Sequence, residues 1–208
     1  DADRLALVDE KGQDIDGDQI LALLAKHWQK SENLVGDGIV GTVMSNLGLE
    51  LFLKDLKLKL YRSPVGDRYV SQEMKRYNCN IGGEQSGHLI ISDFSTTGDG
   101  LVSALQVLKI LVETGKPASQ VCQVFEPVPQ ILRNIPIGKH DPCRIDTVQQ
   151  VIKNAESKLS QTGRLLIRKS GTEPLLRIMV EGQDETLLHK IVNEIVFAIE
   201  ETKNIQVA

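Results

Sequence analysis

The densest chemistry in the chain lies in Arg168-Lys169-Ser170-Gly171-Thr172-Glu173-Pro174, with Arg177 three residues further on. Ser170 and Thr172 offer hydroxyl donors, and Gly171 lets the backbone turn tightly enough for successive N–H groups to converge on one anion. Arg168 closes one strand-like run and Arg177 lies on the next, so both can reach that spot. The planar guanidinium fork matches phosphate oxygens bidentately. The loop reads as a phosphate cradle, with an ordinary hairpin turn carrying solvated arginines as the alternative. A second constellation is Gly82-Gly83-Glu84-Gln85-Ser86-Gly87-His88, where three glycines let backbone approach a ligand. In an extended stretch Glu84, Ser86 and His88 would face one side. A carboxylate accepts hydrogen bonds from vicinal hydroxyls, so Glu84 suits a sugar. His88 can bind phosphate or move a proton near neutral pH. The alternative is a strand turn whose histidine is structural.

Two weaker constellations accompany these. Asp1-Ala2-Asp3-Arg4 sets alternating carboxylates before a strand, a pattern that can hold a hard divalent cation such as Mg²⁺ once further oxygen ligands complete the shell. Arg4 beside them suits phosphate; a solvated acidic end is the alternative. Arg68 and Tyr69, within Ser63–Tyr69, open a helix whose dipole favours an anion, though a plain helix start explains them too. His27, His140 and His189 fit no metal spacing and read as structural or surface residues, and Trp28 as a packing residue.

The elements that must position these residues follow from periodicity. Residues 5–8 read as a strand and 9–12 as a turn. Asp18 then serves as N-cap of a helix with Ile20, Leu23, Leu24 and His27 on one face. Residues 39–43 read as a buried strand, 47–54 as a helix, 59–62 as a strand and 67–77 as a helix. Beyond the glycine-rich loop and the apolar 89–91, the capping run Ser95–Gly100 starts a long helix with Leu101, Leu105, Leu108 and Val112 in one stripe. Gly115-Lys116-Pro117 ends it. This alternation predicts an α/β domain with a mixed sheet. The two prolines of Glu126-Pro127-Val128-Pro129 mark a linker. After it, strand (130–137), helix (146–159), two strands (164–168 and 175–181) and a helix (184–201) predict a smaller α+β domain.

Composition limits the function classes. Of 208 residues, 41% are hydrophobic and 25% charged, values that exclude disorder as the main state. No apolar run approaches the ~20 residues a membrane span requires. A net charge of -4 argues against a general nucleic-acid surface. Cys79, Cys122 and Cys143 are scattered and form no zinc pattern, so free thiols in a reducing cytoplasm are expected. The chain opens on an acidic turn that leads straight into a strand, with no initiator methionine or leader, and reads as a cut through a longer protein.

The order of acidic loop, Gly-Glu-Gln-Ser-Gly-His loop (83–88) and Arg-Lys-Ser-Gly-Thr-Glu-Pro-Leu-Leu-Arg loop (168–177) resembles the α-D-phosphohexomutase family over essentially the full chain. Residues 41–49, 65–70 and 83–88 are most similar to the branch that works on glucosamine phosphates; phosphomannomutases usually show methionine at the place of Gln85. The resemblance implies a four-domain enzyme of which this is the C-terminal half. Residues 1–13 would be the tail of domain 2 with a partial metal loop, 14–128 domain 3 with the sugar-binding loop, and 129–208 domain 4 with the phosphate-binding loop. Asp1 and Asp3 match two of three Mg²⁺ acids, the first lying upstream, and Arg4 matches a catalytic arginine near a phosphoserine. Glu84, Ser86, His88 and Arg68 match the substrate-binding set, and His88, like Arg4, also matches a catalytic residue at the reacting end. Arg168, Ser170, Gly171, Thr172 and Arg177 match the grip on the non-reacting phosphate.

The implied reaction interconverts glucosamine 6-phosphate and glucosamine 1-phosphate through that phosphoserine and a bisphosphate intermediate, primed by a bisphosphorylated sugar, on the route to UDP-N-acetylglucosamine. The serine belongs to domain 1 and has no counterpart here; Ser45 and Ser86 lack its neighbours. The chain alone is therefore expected to be inactive. The expected partners are a hexosamine phosphate and the N-terminal half of the same protein, with a homodimer compatible and neither nucleic acid nor membrane involved. The rival readings are a phosphomannomutase or phosphoglucomutase of the same family, or a non-catalytic phosphosugar-binding module.

Overall fold

The structure is a computed structural model that describes residues 1–138, 141–160, 162–170 and 173–205. The chain divides into two compact units, Asp1–Pro127 and Val128–Ala208, and apolar cores form separately in each.

The first unit begins with a short rung, β1 (Leu7–Val8) antiparallel to β2 (Asp14–Ile15). The strand expected over residues 5–8 is thus half its length. Leu5 instead donates its N–H to Gly87 O at 3.0 Å, which ties the opening residues to the glycine-rich loop. Helix α1 (Gly17–Lys30) is capped by Asp16 and not, as expected, by Asp18: Asp16 Oδ1 accepts from Gln19 N at 3.0 Å. A cap needs extended backbone just outside the helix so that its oxygen can reach back over the first turn. Asp18 lies within that turn, fully buried. Ile20, Leu23 and Leu24 are buried as the spacing predicts, and His27 pairs with Glu113 at 3.2 Å.

The unit continues through β3 (Gly38–Thr42), α2 (Leu47–Asp55), β4 (Lys59–Ser63), α3 (Asp67–Tyr77), β5 (Ile81–Gly83), β6 (Leu89–Ile91), α4 (Gly100–Thr114) and the short α5 (Ala118–Val121). The strands order β4-β3-β5-β6, with β3 parallel to β4 and β5, and β6 antiparallel to β5. Alternation along the strands sends Ile39, Ile81, Leu89 and Ile91 into one core with residues of α1, α2 and α4. Val40 and Ile90 point the other way, against Val70 and Met74 of α3. Both sheet faces are therefore covered, which is why β3 and β6 read as buried strands along their whole length.

Helix α4 is capped by Asp99, whose Oδ1 accepts from Val102 N at 2.9 Å, and it ends at Gly115 in a left-handed conformation, both as expected. Its orientation differs from the expected stripe. Val107 and Ile110 are buried, while Leu101, Leu105, Leu108 and Val112 are 53–81% exposed. Spacing reveals a helix but does not say which of two apolar stripes is buried.

The second unit holds β7 (Gln130–Pro136), a single 3₁₀ turn (Pro142–Arg144), α6 (Asp146–Leu159), β8 (Gly163–Lys169), β9 (Leu175–Gly182) and α7 (Glu185–Ile205). Its sheet is antiparallel with β9 in the centre. Leu176, Ile178 and Val180 alternate into a core with Val148, Ala155 and Leu159 of α6 and Leu188, Ile191, Ile195 and Ile199 of α7. Arg177 consequently points to the opposite sheet face. Cys79, Cys122 and Cys143 are free, and burial pushes the Cys79 thiol up to about 11. Among the described residues no helix is long and apolar enough to cross a membrane.

Candidate functional site

Loops leave the first sheet at the carboxyl ends of β3, β4 and β5, the edge at which open α/β sheets bind ligands. After β5 the chain reverses over Glu84-Gln85-Ser86-Gly87 and returns as β6. Glu84 N–H donates to His88 O at 2.9 Å and Gly87 N–H to Glu84 O at 3.0 Å. This is a tight turn, so Glu84, Ser86 and His88 do not alternate along one extended face. The turn still joins two of them: Ser86 Oγ donates to Glu84 Oε2 at 3.3 Å, and Gly66 N–H donates to Glu84 Oε1 at 2.8 Å. The carboxylate is half-buried and aimed by two donors. Arg68 is exposed in the first turn of α3, two residues beyond Gly66.

The acidic opening meets this turn. Arg4 forms an antiparallel bridge with His88, and Gly100 N–H donates to Ala2 O at 2.9 Å. Asp3 Oδ2 lies 3.1 Å from His88 Nδ1. The imidazole is buried; its Nε2 packs under Gly98 and has no hydrogen-bond partner among the described residues. Gly87 has φ of +85°, and a Cβ there would run into Leu5 O, so a side chain would push the two segments apart. A backbone N–H holds the Asp3 carboxyl below the usual range, and the His88 ring lowers it further. Asp1 and Arg4 are exposed beside it. Asp1 and Asp3 thus suit Mg²⁺ in donor type but not in number. No three His, Cys, Asp or Glu side chains gather as a metal cluster among the described residues.

Sequence reasoning missed the residues that brace this edge. Asp18 Oδ2 accepts from Asn46 N at 2.8 Å, and burial pushes the carboxyl up to about 7 against the pull of Asn46 N–H and the Ser45 hydroxyl. Gln19 Oε1 accepts from Val124 N at 2.7 Å while its Nε2 donates to Phe125 O at 2.8 Å. Arg62 Nη1 donates to Ser45 O at 2.7 Å and pairs through Nη2 with Glu50 at 2.8 Å. Asp16 Oδ2 accepts from Gln85 Nε2 at 3.0 Å. The available signal was four polar or small residues, Asp16-Gly17-Asp18-Gln19, at the start of an otherwise apolar helix.

In the second unit Arg168 stands directly across from Arg177 on neighbouring strands. Like charges so placed repel and favour an anion in front of them. Arg177 Nη2 lies 3.3 Å from Ser170 Oγ and 3.1 Å from Glu173 Oε2, while its Nε is buried with no hydrogen-bond partner among the described residues. Arg168, Ser170 and Arg177 are therefore gathered; Gly171 and Thr172 of the same expected cradle, like His140, lie outside the described residues.

Residues 16–128 match the pattern of phosphoglucomutase/phosphomannomutase alpha/beta/alpha domain III, and residues 132–197 that of the phosphoglucomutase/phosphomannomutase C-terminal domain. The chain belongs to this phosphohexomutase family. Its near relatives are phosphoglucosamine mutases: it is 56% identical to that of Chelativorans sp. (strain BNC1), over 98% of this chain and 45% of the relative. It is 57% identical to that of Rhodospirillum centenum, over 96% of this chain and 43% of the relative. The chain thus spans somewhat under half the length of the relatives it matches. The fold agrees with a phosphoglucomutase/phosphomannomutase family protein from Burkholderia thailandensis, with a TM-score of 0.75 at 20% identity over 98% of this chain and 45% of the other. It agrees likewise with Aspergillus fumigatus N-acetylphosphoglucosamine mutase, solved with GlcNAc-6P and magnesium, with a TM-score of 0.74 at 21% identity over 96% of this chain and 50% of the other.

Proposed function

We propose that this chain is the sugar-reading and phosphate-gripping half of a phosphoglucosamine mutase, which interconverts glucosamine 6-phosphate and glucosamine 1-phosphate. The observation that carries the reading is the joining of the acidic opening to the Glu84 turn through the Arg4–His88 bridge and the Asp3–His88 contact. Two constellations far apart in sequence then serve one reacting centre. Residues 1–13 would close domain 2, residues 14–128 form domain 3 and residues 129–208 form domain 4.

In this reading Glu84, held by Gly66 and Ser86, accepts hydrogen bonds from sugar hydroxyls. Arg68 adds a cation on the same edge. His88, oriented through Nδ1 by Asp3, stands at the reacting end beside Arg4. Arg168, Ser170 and Arg177, with Gly171 and Thr172, hold the phosphate that does not react. Glu173, now on Arg177, is the ligand that phosphate displaces. Asp1 and Asp3 would hold Mg²⁺ with an upstream acid completing the set. The ion's chemistry is to neutralise charge on the transferring phosphoryl group. A phosphoserine outside these residues supplies that group, with a bisphosphorylated sugar as primer, and the product feeds UDP-N-acetylglucosamine synthesis. Three free thiols fit a reducing cytoplasm. Size-exclusion chromatography decides whether two copies pair.

The test is kcat/KM of the full-length, serine-phosphorylated protein with Mg²⁺ and a bisphosphate primer, measured for glucosamine, glucose and mannose phosphates. Preference for glucosamine phosphate is expected. Preference for glucose or mannose phosphate would overturn the substrate assignment, and turnover of none would overturn the enzyme reading in favour of a binding module.

A further inference from the structure

Gln85 reaches from the Glu84–Gly87 turn to the helix behind it. Its Nε2 donates to Asp16 Oδ2 at 3.0 Å, and its backbone O accepts from Gly17 N–H at 2.9 Å. Asp16 has a second task, since its Oδ1 caps α1 through Gln19 N at 3.0 Å. One carboxylate therefore fixes the helix start with one oxygen and the turn with the other. The fit is close: a Cβ at Gly17 would strike Glu84 O and lie 3.0 Å from Gln85 O. The turn lies flat on the first residue of α1, and Glu84 is held from behind by Gln85 and from the side by Gly66 N–H at 2.8 Å.

We infer that the Asp16–Gln85 hydrogen bond is a positioning pair that sets where the Glu84 carboxylate stands, so that Gln85 acts on the sugar through Glu84 rather than by touching it. A carboxylate only accepts, so Gln85 must present its NH₂ to Asp16, which turns that end of its amide toward α1. The same α1 turn holds the 42–46 loop through Asp18 and the 124–125 segment through Gln19, so the pair is anchored to a braced element. Positioning of this kind matters because displacements of about 1 Å at a binding group can cost on the order of 100-fold. The inference rests on the reading of Glu84 as the group that accepts sugar hydroxyls.

The test is an exchange of polarity in the full-length protein. Gln85→Glu sets a carboxylate against Asp16 and breaks the bond. Adding Asp16→Asn restores it in reverse, because the new amide keeps its oxygen for the helix cap and donates through its NH₂ to the new carboxylate in the turn. Gln85→Glu is expected to raise KM for the sugar phosphate by about tenfold, the equivalent of about 1.4 kcal/mol, with a smaller change in kcat. The double variant should recover most of that loss. Amide exchange at Gly17 should quicken in Gln85→Glu and slow again in the double variant, which separates a broken bond from a failed fold. If exchange recovers and KM never moved, the pair only packs the turn and the inference is overturned. If exchange does not recover in a folded double variant, the bond itself is refuted. Glu84→Gln is measured alongside: an unchanged KM there refutes the sugar reading of Glu84, whatever the pair does.

Discussion

At the residue scale the notable groups are those whose surroundings oppose their chemistry. Asp18 is fully buried, and its carboxyl is pushed up to about 7 by desolvation, with Asp16 adding to the rise and Asn46 N–H, the Ser45 hydroxyl and Arg62 opposing it. An acid whose folded pKa lies above its unfolded value of 3.8 keeps its proton on folding between those two values. The folded state then binds the extra proton, so stability falls as pH rises from about 4 to about 7 and levels off above. Asp18→Asn carries no such charge. Its stability advantage over the parent should widen through that window, and urea midpoints at pH 4.5, 6 and 8 would read it. A gap that stays constant with pH would show that Asp18 is solvated in the native state. Gly87 gives a second prediction. Gly12 and Gly87 have φ of +79° and +85°, but no described residue lies within 4 Å of a Cβ at Gly12, while one at Gly87 meets Leu5 O. Gly12→Ala should cost about 1 kcal/mol, the conformational penalty alone. Gly87→Ala should cost about 1–3 kcal/mol more, because the opening segment must also move. Equal losses in thermal melts would mean that the opening segment yields freely.

At the scale of elements, α4 shows what periodicity can and cannot say. Its two apolar stripes differ only in what lies beside them, since Val107 and Ile110 meet the sheet and Leu105 and Val112 meet water. Leu105→Lys should leave stability within about 0.5 kcal/mol, since both residues form helix well and the site is exposed. Ile110→Ala should cost about 2–5 kcal/mol by emptying core volume. Chemical denaturation of the two variants checks the assignment, and the reverse order would put the expected stripe back in the core. The order and type of the elements were legible because caps and terminators were local: Asp99 and Gly115 bound α4 within residues of the signals that announced them. The α1 cap was misread by two residues because Asp16 and Asp18 are the same residue type, and only the buried Asn46 contact tells them apart. The glycine-rich run was legible as a loop, but its shape was not. Its closing bonds depend on β6 pairing back onto β5, which residue alternation within the loop does not encode. The Asp3–His88 contact was illegible for a related reason, since 85 positions separate its partners.

At the scale of the whole chain, the candidate chemistry is divided between units with separate cores. Leu24 belongs to a core of the first unit and Ile195 to that of the second, and the two clusters share no residue. Each side chain is fully buried, so Leu24→Ala and Ile195→Ala should each cost about 2–5 kcal/mol. Substitutions that share no packing partners add to within about 0.5 kcal/mol, whereas coupled ones depart by up to about 3 kcal/mol. The double variant should therefore show the sum of the two losses. Hydrogen exchange localises each: Leu24→Ala should quicken amides of β3 and β5 and leave those of β9 unchanged, and Ile195→Ala the reverse. A coupling beyond about 1 kcal/mol, or loss of protection in both units from one substitution, would refute independent cores. Additivity extends to the proposed phosphate grip. Arg177 and Ser170 are built on β9 and its hairpin, outside the core that carries the Glu84 turn. A chain weakened in its second unit should then lose the proposed phosphate grip while the Glu84 turn and its hydrogen bond to Asp16 keep their exchange protection.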